Sequence, residues 1–440
     1  MRIKIHYWSA LTVAERQTLL ERPATLMNDA LVAGVQDIVR LVREGGDAAL
    51  KDLTQRFDGV VIDELRVPES ELRAAERELS NEAIAAIELS IDNVRRFHEA
   101  QRSVASSVET MPGVRCERVP RPIDRVGLYV PAGSAPLPST AVMLAVPAEI
   151  AGCPRRIMCT PPRADGRADP AVLAAARRSG VTEVYKIGGA QAIAAMAFGT
   201  ESIPRVDKIF GPGNAWVTAA KSLVTVSADG PAIDMPAGPS EVLVIADALS
   251  NAEFVAADLL SQAEHGNDSQ VVLVATDPDV ATRVADQMDI QLPLLVRRAI
   301  AAAAIVESRF IVADNLEEAA EISNAYAPEH LILQIDDARS LLPKIRNAGS
   351  VFLGPWTPEA VGDYCSGTNH VLPTGGRARS YSGLSVDHFV RQMTVQELSR
   401  DGLRSLSTAV TELARLEGLD AHAAAVTRRL HAGDGTEIPR

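Results

Sequence analysis

Through residues 1–120, apolar positions recur at the spacing of an amphipathic helix. The pattern runs through ALVAGVQDIVRLVREGGDAALKDLTQRF, is interrupted at Gly45 and Gly46, and resumes in AAIELSIDNVRRFHEAQRS. It predicts a mostly helical beginning of the chain. We divide this part into an N-terminal arm, residues 1–22, and a helical part of the first globular domain, residues 23–122.

The pattern changes near Arg125, where short apolar runs begin to alternate with helical stretches. The strands predicted here lie in RVGLYVPAG, RRIMCT, VTEVYKIGG and VDKIF. Asp169 and Pro170 provide an N-cap and a first-turn proline for the helix in DPAVLAAARRSG. Strands and helices that alternate at this spacing indicate βαβ units around a parallel sheet. Residues 123–236 are therefore predicted to form a Rossmann-like domain.

A second series of the same kind follows over residues 237–380. Its predicted strands are EVLVIA, SQVVLVA, RFIVA, HLILQI and SVFLG, with helical segments between them. Residues 381–440 are predicted to form a helical arm that includes VQELSRDGLRSL and LSTAVTELARLEGLDAHAAAVTRRL. The predicted fold class is α/β, with two Rossmann-like parallel-sheet domains, a helical N-terminal segment and a helical C-terminal arm.

Composition and charge narrow the function classes. The 440 residues include 44 basic and 57 acidic side chains, and the formal net charge of −13 argues against a nucleic-acid or anionic-membrane partner. The N-terminus lacks the apolar core of a signal peptide, and no apolar run approaches the roughly 20 residues that span a bilayer. The cysteines form no CxxC pair. These features predict a cytoplasmic protein that acts on small molecules without a cysteine nucleophile.

Gln262 and His265 fall in the last turn of a predicted helix, in the stretch LLSQAEHG. Ser250 and Glu253 provide a capping box at its start, and Gly266 provides a stop. At this spacing the two side chains share one face, where the negative end of the helix dipole favours a cation. The alternative is a solvated polar turn, and glutamine is an unusual zinc ligand.

Two further stretches place imidazole and carboxylate groups together. The loop GDYCSGTNHVLPTGG carries Asp363 and His370, and the alternative is a structural loop in which Asp363 bonds its own turn. Glu329 and His330 are adjacent at the start of a predicted strand, in YAPEHLIL. Neighbours in a strand point to opposite faces, and a strand start is not the usual ligand end of an α/β sheet. The two could therefore serve one site only if the backbone turns at Pro328.

Glu417 and His422 lie on or beside the predicted tail helix, in LEGLDAHAAA, where simple solvation is the alternative. In combination these segments are more informative than each is alone. Glutamine, histidine and aspartate side chains from three separate segments could form a site of nitrogen and oxygen donors suited to zinc.

The motifs of the chain resemble those of the histidinol dehydrogenase family. The resemblance is carried by RVGLYVPAG, KIGGAQAIAA, FGPGNAWV, MPAGPSEVLVIAD, LLSQAEHG, YAPEHL, GDYCSGTNHVLPTGG and EGLDAHAAAVTRR. These stretches occur in this order between residues 123 and 429, so the resemblance covers nearly the whole chain.

The resemblance implies a zinc site, a substrate site and a dimer. Zinc would be held by Gln262, His265, Asp363 and His422. The substrate L-histidinol would contact Ser240, Gln262, His265, His330, Asp363, His370, Glu417 and His422. The implied assembly is an intertwined homodimer in which the C-terminal arm, carrying His422, reaches the site of the partner.

The implied reaction is the NAD-dependent oxidation of L-histidinol through L-histidinaldehyde to L-histidine, the last two steps of histidine biosynthesis. His330 would be the general base, because imidazole accepts protons near neutral pH, and Glu329 would activate the attacking water. The resemblance places NAD in the domain formed by residues 123–236, at Tyr129, Gln191 and Asn214. The stretch GPGNAW does not complete the GxGxxG fingerprint, and no acidic residue ends the next strand to hold a ribose. The NAD assignment therefore rests on the resemblance.

Two other functions remain open on the same residues. One is an enzyme of this scaffold that oxidises another small amino- or sulfonate-bearing alcohol, and the presence of His370, Glu417 and His422 favours histidinol over it. The other is a zinc hydrolase in which Glu329 is the base for water and no redox cofactor is used. Two consecutive α/β series favour a dinucleotide enzyme over the hydrolase.

Overall fold

Parallel strands and helices alternate through most of the chain, as the sequence predicts. The computed structural model describes residues 3–22, 29–132, 135–236 and 238–432. The end of the predicted C-terminal arm, residues 433–440, lies outside the described residues. So does the start of the predicted helical segment, residues 23–28. The chain divides into a large unit, residues 1–101 and 123–389, and a small unit, residues 102–122 and 390–440.

The strands of the described residues are β1 (Ile5–Tyr7), β2 (Ser106–Met111), β3 (Val114–Pro122), β4 (Arg125–Tyr129), β5 (Arg155–Thr160), β6 (Glu183–Lys186), β7 (Lys208–Phe210), β8 (Ala232–Ile233), β9 (Glu241–Ala246), β10 (Gln270–Ala275), β11 (Arg309–Val312), β12 (His330–Gln334), β13 (Ser350–Leu353) and β14 (Val390–Leu398). The α-helices are α1 (Val13–Leu20), α2 (Asp29–Asp58), α3 (Glu69–Ala74), α4 (Asn81–Glu99), α5 (Pro138–Ile150), α6 (Pro170–Arg178), α7 (Gly189–Phe198), α8 (Ala215–Thr225), α9 (Ala252–Ala263), α10 (Pro278–Gln291), α11 (Arg298–Ile305), α12 (Leu316–Tyr326), α13 (Ala338–Leu341), α14 (Glu359–Tyr364), α15 (Arg400–Leu416) and α16 (Asp420–His431).

The first sheet of the large unit has five parallel strands in the order β6-β5-β4-β7-β8. The predicted cap of α6 is confirmed, since the Asp169 side chain accepts hydrogen bonds from the backbone N–H groups of Ala171 and Val172. The strand order reverses beside β4, because β5 and β6 lie on one side of it and β7 and β8 on the other. Ligands of open α/β sheets bind outside the carboxyl ends of the strands at such a point.

The second sheet of the large unit has six parallel strands in the order β1-β11-β10-β9-β12-β13. Residues 5–7 of the predicted N-terminal arm form its edge strand. The central strand β9 sends Val242 and Val244 into the apolar core on one face and Leu243 and Ile245 into the core on the other. Burial on both faces explains why the strand EVLVIA is apolar at almost every position. The predicted α/β class with two parallel sheets is confirmed.

The small unit contains a three-stranded antiparallel sheet in the order β14-β3-β2. The helical assignment of residues 106–122 and 390–398 in the sequence analysis is therefore wrong. β2 is exposed along its whole length, so no alternation of apolar and polar residues marks it in the sequence. α15 and α16 then pack on each other as a helical hairpin, as predicted for the tail. Within the described part of the chain, no helix combines the length and the apolar character that crossing a membrane requires.

Candidate active site

His330 stands at the centre of a buried polar cluster at the beginning of the central strands of the six-stranded sheet. It is the first residue of β12 and pairs with Val242 of β9. Its Nδ1 lies 3.2 Å from the carbonyl oxygen of Glu241 and 3.6 Å from Oε1 of Glu359. Its Nε2 lies 3.7 Å from Oδ1 of Asp363 and has no hydrogen-bond partner among the described residues. One ring nitrogen is therefore held by the protein, and the other is left for a ligand.

Glu329 belongs to the same cluster, although neighbours in a regular strand point to opposite faces. α12 ends at Ala327, whose φ of 55° turns the backbone before Pro328 and the start of β12. The Glu329 carboxylate accepts a hydrogen bond of 3.0 Å from the backbone N–H of Glu241, and its Oε2 lies 3.7 Å from Nδ1 of His330. The turn that the sequence analysis required at this place is present.

The end of α9 brings Gln262 and His265 to the cluster. The helix is capped by Asn251, whose side chain accepts from the backbone N–H groups of Glu253 and Phe254. The predicted capping box is therefore wrong, because the Ser250 hydroxyl is bonded instead to the Gln334 carbonyl before the helix begins. Gln262 is fully buried, whereas the His265 side chain is 43% exposed.

The Gln262 amide has one orientation that satisfies its surroundings. One end of the amide lies 3.2 Å from the Glu241 carbonyl oxygen and 3.0 Å from Oε1 of Glu359. The same end lies 3.1 Å from Nδ1 of His330. With the Glu241 carbonyl and Glu359 as acceptors, this end is the NH₂ group. The carbonyl oxygen of Gln262 is then the end turned away from these acceptors.

The short helix α14 contributes Glu359 and Asp363, one helical turn apart on one face. Oδ2 of Asp363 lies 3.9 Å from Nε2 of His265. Donor atoms of His265, Glu359 and Asp363 all lie within 4.8 Å of one another. Glu359 was not among the predicted site residues, although its position four residues before Asp363 on a helix is a signal that could have indicated it.

His370 and Ser240 lie beside this group. Nδ1 of His370 is 2.9 Å from the backbone oxygen of Asp363, and its Nε2 is 3.2 Å from Oγ1 of Thr140. A small cavity of about 40 Å³ is lined by Ser240, Glu329 and His370. We use the name active-site cluster for Ser240, Gln262, His265, Glu329, His330, Glu359, Asp363 and His370.

Burial sets the protonation of the cluster. It lowers the pKa of His330 to about 4 and lowers the pKa of His370, so both rings are neutral at physiological pH. Burial also raises the pKa of Glu329 and of Glu359 well above the usual value, with neighbouring carboxylates adding to the effect. The cluster thus concentrates neutral imidazole nitrogens and carboxyl groups that favour a proton or a cation.

The donor set fits zinc. Imidazole nitrogen and carboxylate oxygen are ordinary zinc ligands, and the free oxygen of Gln262 adds a neutral one. Within the described part of the chain, Oε2 of Glu359 and Nε2 of His330 are buried without a hydrogen-bond partner, which leaves polar atoms that an ion or a substrate would satisfy.

The remaining two predicted residues, Glu417 and His422, belong to the small unit. Glu417 is the C-cap of α15, and His422 lies in the first turn of α16. Both are exposed. The cluster described above is built from residues of the large unit only.

Tyr129, Gln191 and Asn214 line one cleft of about 450 Å³ at the carboxyl ends of the strands of the five-stranded sheet. The Tyr129 hydroxyl accepts a hydrogen bond of 3.0 Å from the backbone N–H of Gly189, which ties β4 to the start of α7. Asn214 caps α8 by accepting from the backbone N–H groups of Trp216 and Val217. The cleft also includes Phe57, Asp58 and Trp216, which the sequence analysis did not single out.

Comparisons with known proteins agree on one family. Residues 21–430 match the model of the histidinol dehydrogenase family. The histidinol dehydrogenase of Vibrio parahaemolyticus is 53% identical over 423 residues, which cover 96% of this chain and 97% of that protein. The histidinol dehydrogenase of Xanthomonas oryzae is 55% identical over 428 residues, which cover 97% of this chain and 99% of that protein.

A solved structure supports the same conclusion. The crystal structure of histidinol dehydrogenase from Elizabethkingia anophelis superposes with a TM-score of 0.94 at 46% sequence identity and covers 99% of each chain. The resemblance noted from the motifs is therefore confirmed over the whole fold. The chain belongs to the histidinol dehydrogenase family of oxidoreductases.

Proposed function

We propose that the protein oxidises L-histidinol through L-histidinaldehyde to L-histidine, using zinc and NAD⁺, in the last two steps of histidine biosynthesis. The observation that carries the proposal is the active-site cluster, in which a neutral, buried histidine stands beside a buried carboxyl group and a donor set that fits zinc. An alcohol oxidation needs the base, an aldehyde oxidation needs activated water, and this cluster has a candidate for each.

Zinc would be held by Gln262, His265 and Asp363 of one chain and by His422 from the small unit of a second copy. When bound, it would serve as a template that orients the imidazole and amine nitrogens of histidinol. The His265 side chain is partly exposed, whereas Gln262 is buried, so a ligand can reach the site at His265. Substrate would contact Ser240, Gln262, His265, His330, Asp363, His370, Glu417 and His422.

His330 acts as the base in the alcohol step. Nδ1 is held among protein groups, 3.2 Å from the Glu241 carbonyl oxygen and 3.1 Å from the Gln262 amide, whereas Nε2 has no hydrogen-bond partner among the described residues. Nε2 is therefore the ring nitrogen placed to take the proton of the substrate hydroxyl. Burial keeps this ring neutral at physiological pH, so no proton has to be removed from it first. Bound NAD⁺ would accept the hydride in each oxidation.

Glu329 activates water in the aldehyde step. Its carboxylate is held by the Glu241 backbone N–H, and burial raises its pKa, which makes the ionised form a stronger base than a solvated glutamate. Oxidation of the aldehyde as its hydrate needs no thiol. Burial raises the pKa of the Cys153 thiol to about 11 and raises that of Cys159 further, so neither is a thiolate at neutral pH.

NAD would bind the cleft beside β4, at Tyr129, Gln191 and Asn214. The cleft lies where the strand order of the five-stranded sheet reverses, and the N-termini of α7 and α8 open onto it. Backbone N–H groups at these two ends suit a pyrophosphate group. Tyr129 and Asn214 are already fixed by hydrogen bonds at the helix starts, so they present a preformed surface.

The test is the product formed by the purified protein from L-histidinol and NAD⁺, identified by chiral chromatography while NADH is followed by absorbance. We expect L-histidine together with NADH. Turnover of a different small alcohol in preference to histidinol would favour the paralogous enzyme. Hydrolysis of ester or amide substrates without NADH would overturn the proposal in favour of a zinc hydrolase.

A further inference from the structure

Asp58 places a carboxylate at the cleft proposed for NAD. It is the last residue of α2, and it lines the same cavity as Tyr129, Gln191 and Asn214. The strand that follows GPGNAW, β8, leads directly into Asp234, contrary to the expectation from the sequence. The Asp234 carboxylate is paired with Lys221 and accepts from the backbone N–H of Gly211, and it does not line this cleft, so it is not the ribose-binding carboxylate found at this place in other dinucleotide sites. α2 lies far earlier in the chain and supplies an acid to the cleft from a different direction.

The charge of Asp58 is not used elsewhere in the described structure. Among the described residues its carboxylate has no ion pair and no hydrogen bond, whereas Asp47 on the same helix is bonded to Thr200 and Ser202. Burial raises the pKa of Asp58, and its charge adds to burial in raising the pKa of Tyr129, so the two groups are close. Asp58 is nevertheless exposed, so a ligand in the cleft can reach its unpartnered carboxylate.

The described residues that line the cleft carry a negative charge and no positive charge. Among the described residues that line it, Asp58 is the charged one, and none is lysine or arginine. A site for NADP needs a cation near the 2′-phosphate, whereas a site for NAD needs an acceptor for the ribose hydroxyls. The carboxyl end of α2 also carries the negative end of its helix dipole, which adds to the repulsion of a phosphate.

We propose that the Asp58 carboxylate accepts hydrogen bonds from the adenosine ribose hydroxyls of NAD and makes the enzyme select NAD over NADP. This inference rests on the proposed function, because it requires NAD to bind this cleft. Phe57 and Trp216, both partly exposed in the same cleft, offer aromatic surface to the attached base.

The test compares Asp58→Asn with Asp52→Asn, a matched control. Asp52 is an exposed acid on α2 that does not line the cleft. Loss of a charged hydrogen-bond acceptor should lower kcat/KM for NAD⁺ by roughly 10-fold to 100-fold, mainly through KM, with kcat nearly kept. The ratio of kcat/KM for NADP⁺ to that for NAD⁺ should rise. Asp52→Asn should match the wild type in both cofactors.

Direct binding separates this inference from the proposed function. NADH binding is followed by quenching of tryptophan fluorescence, to which Trp216 contributes from within the cleft. Thermal unfolding first checks that wild type and Asp58→Asn are equally stable. Asp58→Glu serves as a second variant that keeps the charge. Equal NADH affinity and unchanged cofactor preference in Asp58→Asn would overturn the role of Asp58 while leaving the proposed function in place. A wild type that binds no NADH would overturn both.

Discussion

Arg22 and Glu241 form a bidentate ion pair next to the active-site cluster. Nε of Arg22 lies 2.6 Å from Oε2 of Glu241, and its Nη2 lies 2.8 Å from Oε1. Arg22 also stacks over the Tyr326 ring and donates to the Tyr326 carbonyl oxygen. The backbone of Glu241 in turn bonds Glu329 through its N–H and His330 through its carbonyl. Arg22 therefore positions the strand end on which the proposed base and water activator depend.

Replacing Arg22 should impair both stability and catalysis. Arg22→Ala would leave the Glu241 carboxylate buried and unpaired, and we expect a loss of about 3 kcal/mol in the free energy of unfolding. Arg22→Lys keeps the charge but lacks the planar guanidinium group that binds both carboxylate oxygens, so we expect a smaller loss in the free energy of unfolding. Urea unfolding measures both variants. The control is Arg40→Ala, which removes exposed ion pairs and should change stability by about 0.5 kcal/mol or less. Equal effects of Arg22→Ala and Arg40→Ala would contradict this account.

Glu359 should control metal affinity through Gln262. Its Oε1 accepts from the Gln262 amide, which leaves the amide oxygen as the end that could serve the proposed zinc. We expect Glu359→Ala to weaken zinc binding by roughly 10-fold to 100-fold, measured by competition with a chelator of known affinity. Glu359→Gln still offers an oxygen acceptor, so its loss should be smaller. Glu264→Gln, on the same helix end as Gln262, is the control and should keep wild-type affinity. If Glu359→Ala bound zinc as well as Glu264→Gln, the orienting role would be refuted.

Glu329→Gln should separate the two half-reactions. If Glu329 activates water, the variant should lose aldehyde oxidation by on the order of a hundredfold while alcohol oxidation falls much less. The two rates are measured separately, starting from L-histidinaldehyde and from L-histidinol. His330→Asn provides the contrast, because loss of the base should slow the alcohol step. Equal losses in both steps for Glu329→Gln would count against its assignment.

The shared site can be tested by mixing inactive chains. His265→Ala and His422→Ala remove zinc ligands that are proposed to come from different chains of a dimer. Under conditions where subunits exchange, a mixed dimer would regain one intact site of its two, so activity should reappear on mixing. Subunit exchange is verified with differently tagged chains. Exchange without any recovery of activity would show that His265 and His422 do not meet across the dimer.

The sequence alone was enough to predict the parallel sheets and several residues of the active-site cluster. Particular residues show the physical reasons. Asp169 and Pro170 cap a helix by local chemistry, and Gln262 and His265 share a face because helical spacing requires it. Asp58 was missed because tertiary packing, which no local pattern encodes, brings it to its cleft. Glu359 was missed although its helical spacing from Asp363 marks it as a neighbour of a predicted ligand. Asn251, and not Ser250, is the N-cap of α9, because the Ser250 hydroxyl donates to the carbonyl of Gln334 at the end of β12.

The antiparallel sheet of the small unit was missed for a related reason. β3 pairs with β14, which lies more than half the chain away in sequence, and neither strand shows a clean alternation of apolar and polar residues. Such a pairing cannot be read from local periodicity.

The most direct test of the central claim is the number of NADH molecules formed per L-histidinol consumed, with and without a chelator. A zinc-containing four-electron dehydrogenase should form two NADH for each histidinol, lose this activity when zinc is removed, and regain it when zinc is restored. One NADH per histidinol with accumulation of the aldehyde, or full activity in metal-free protein, would contradict it.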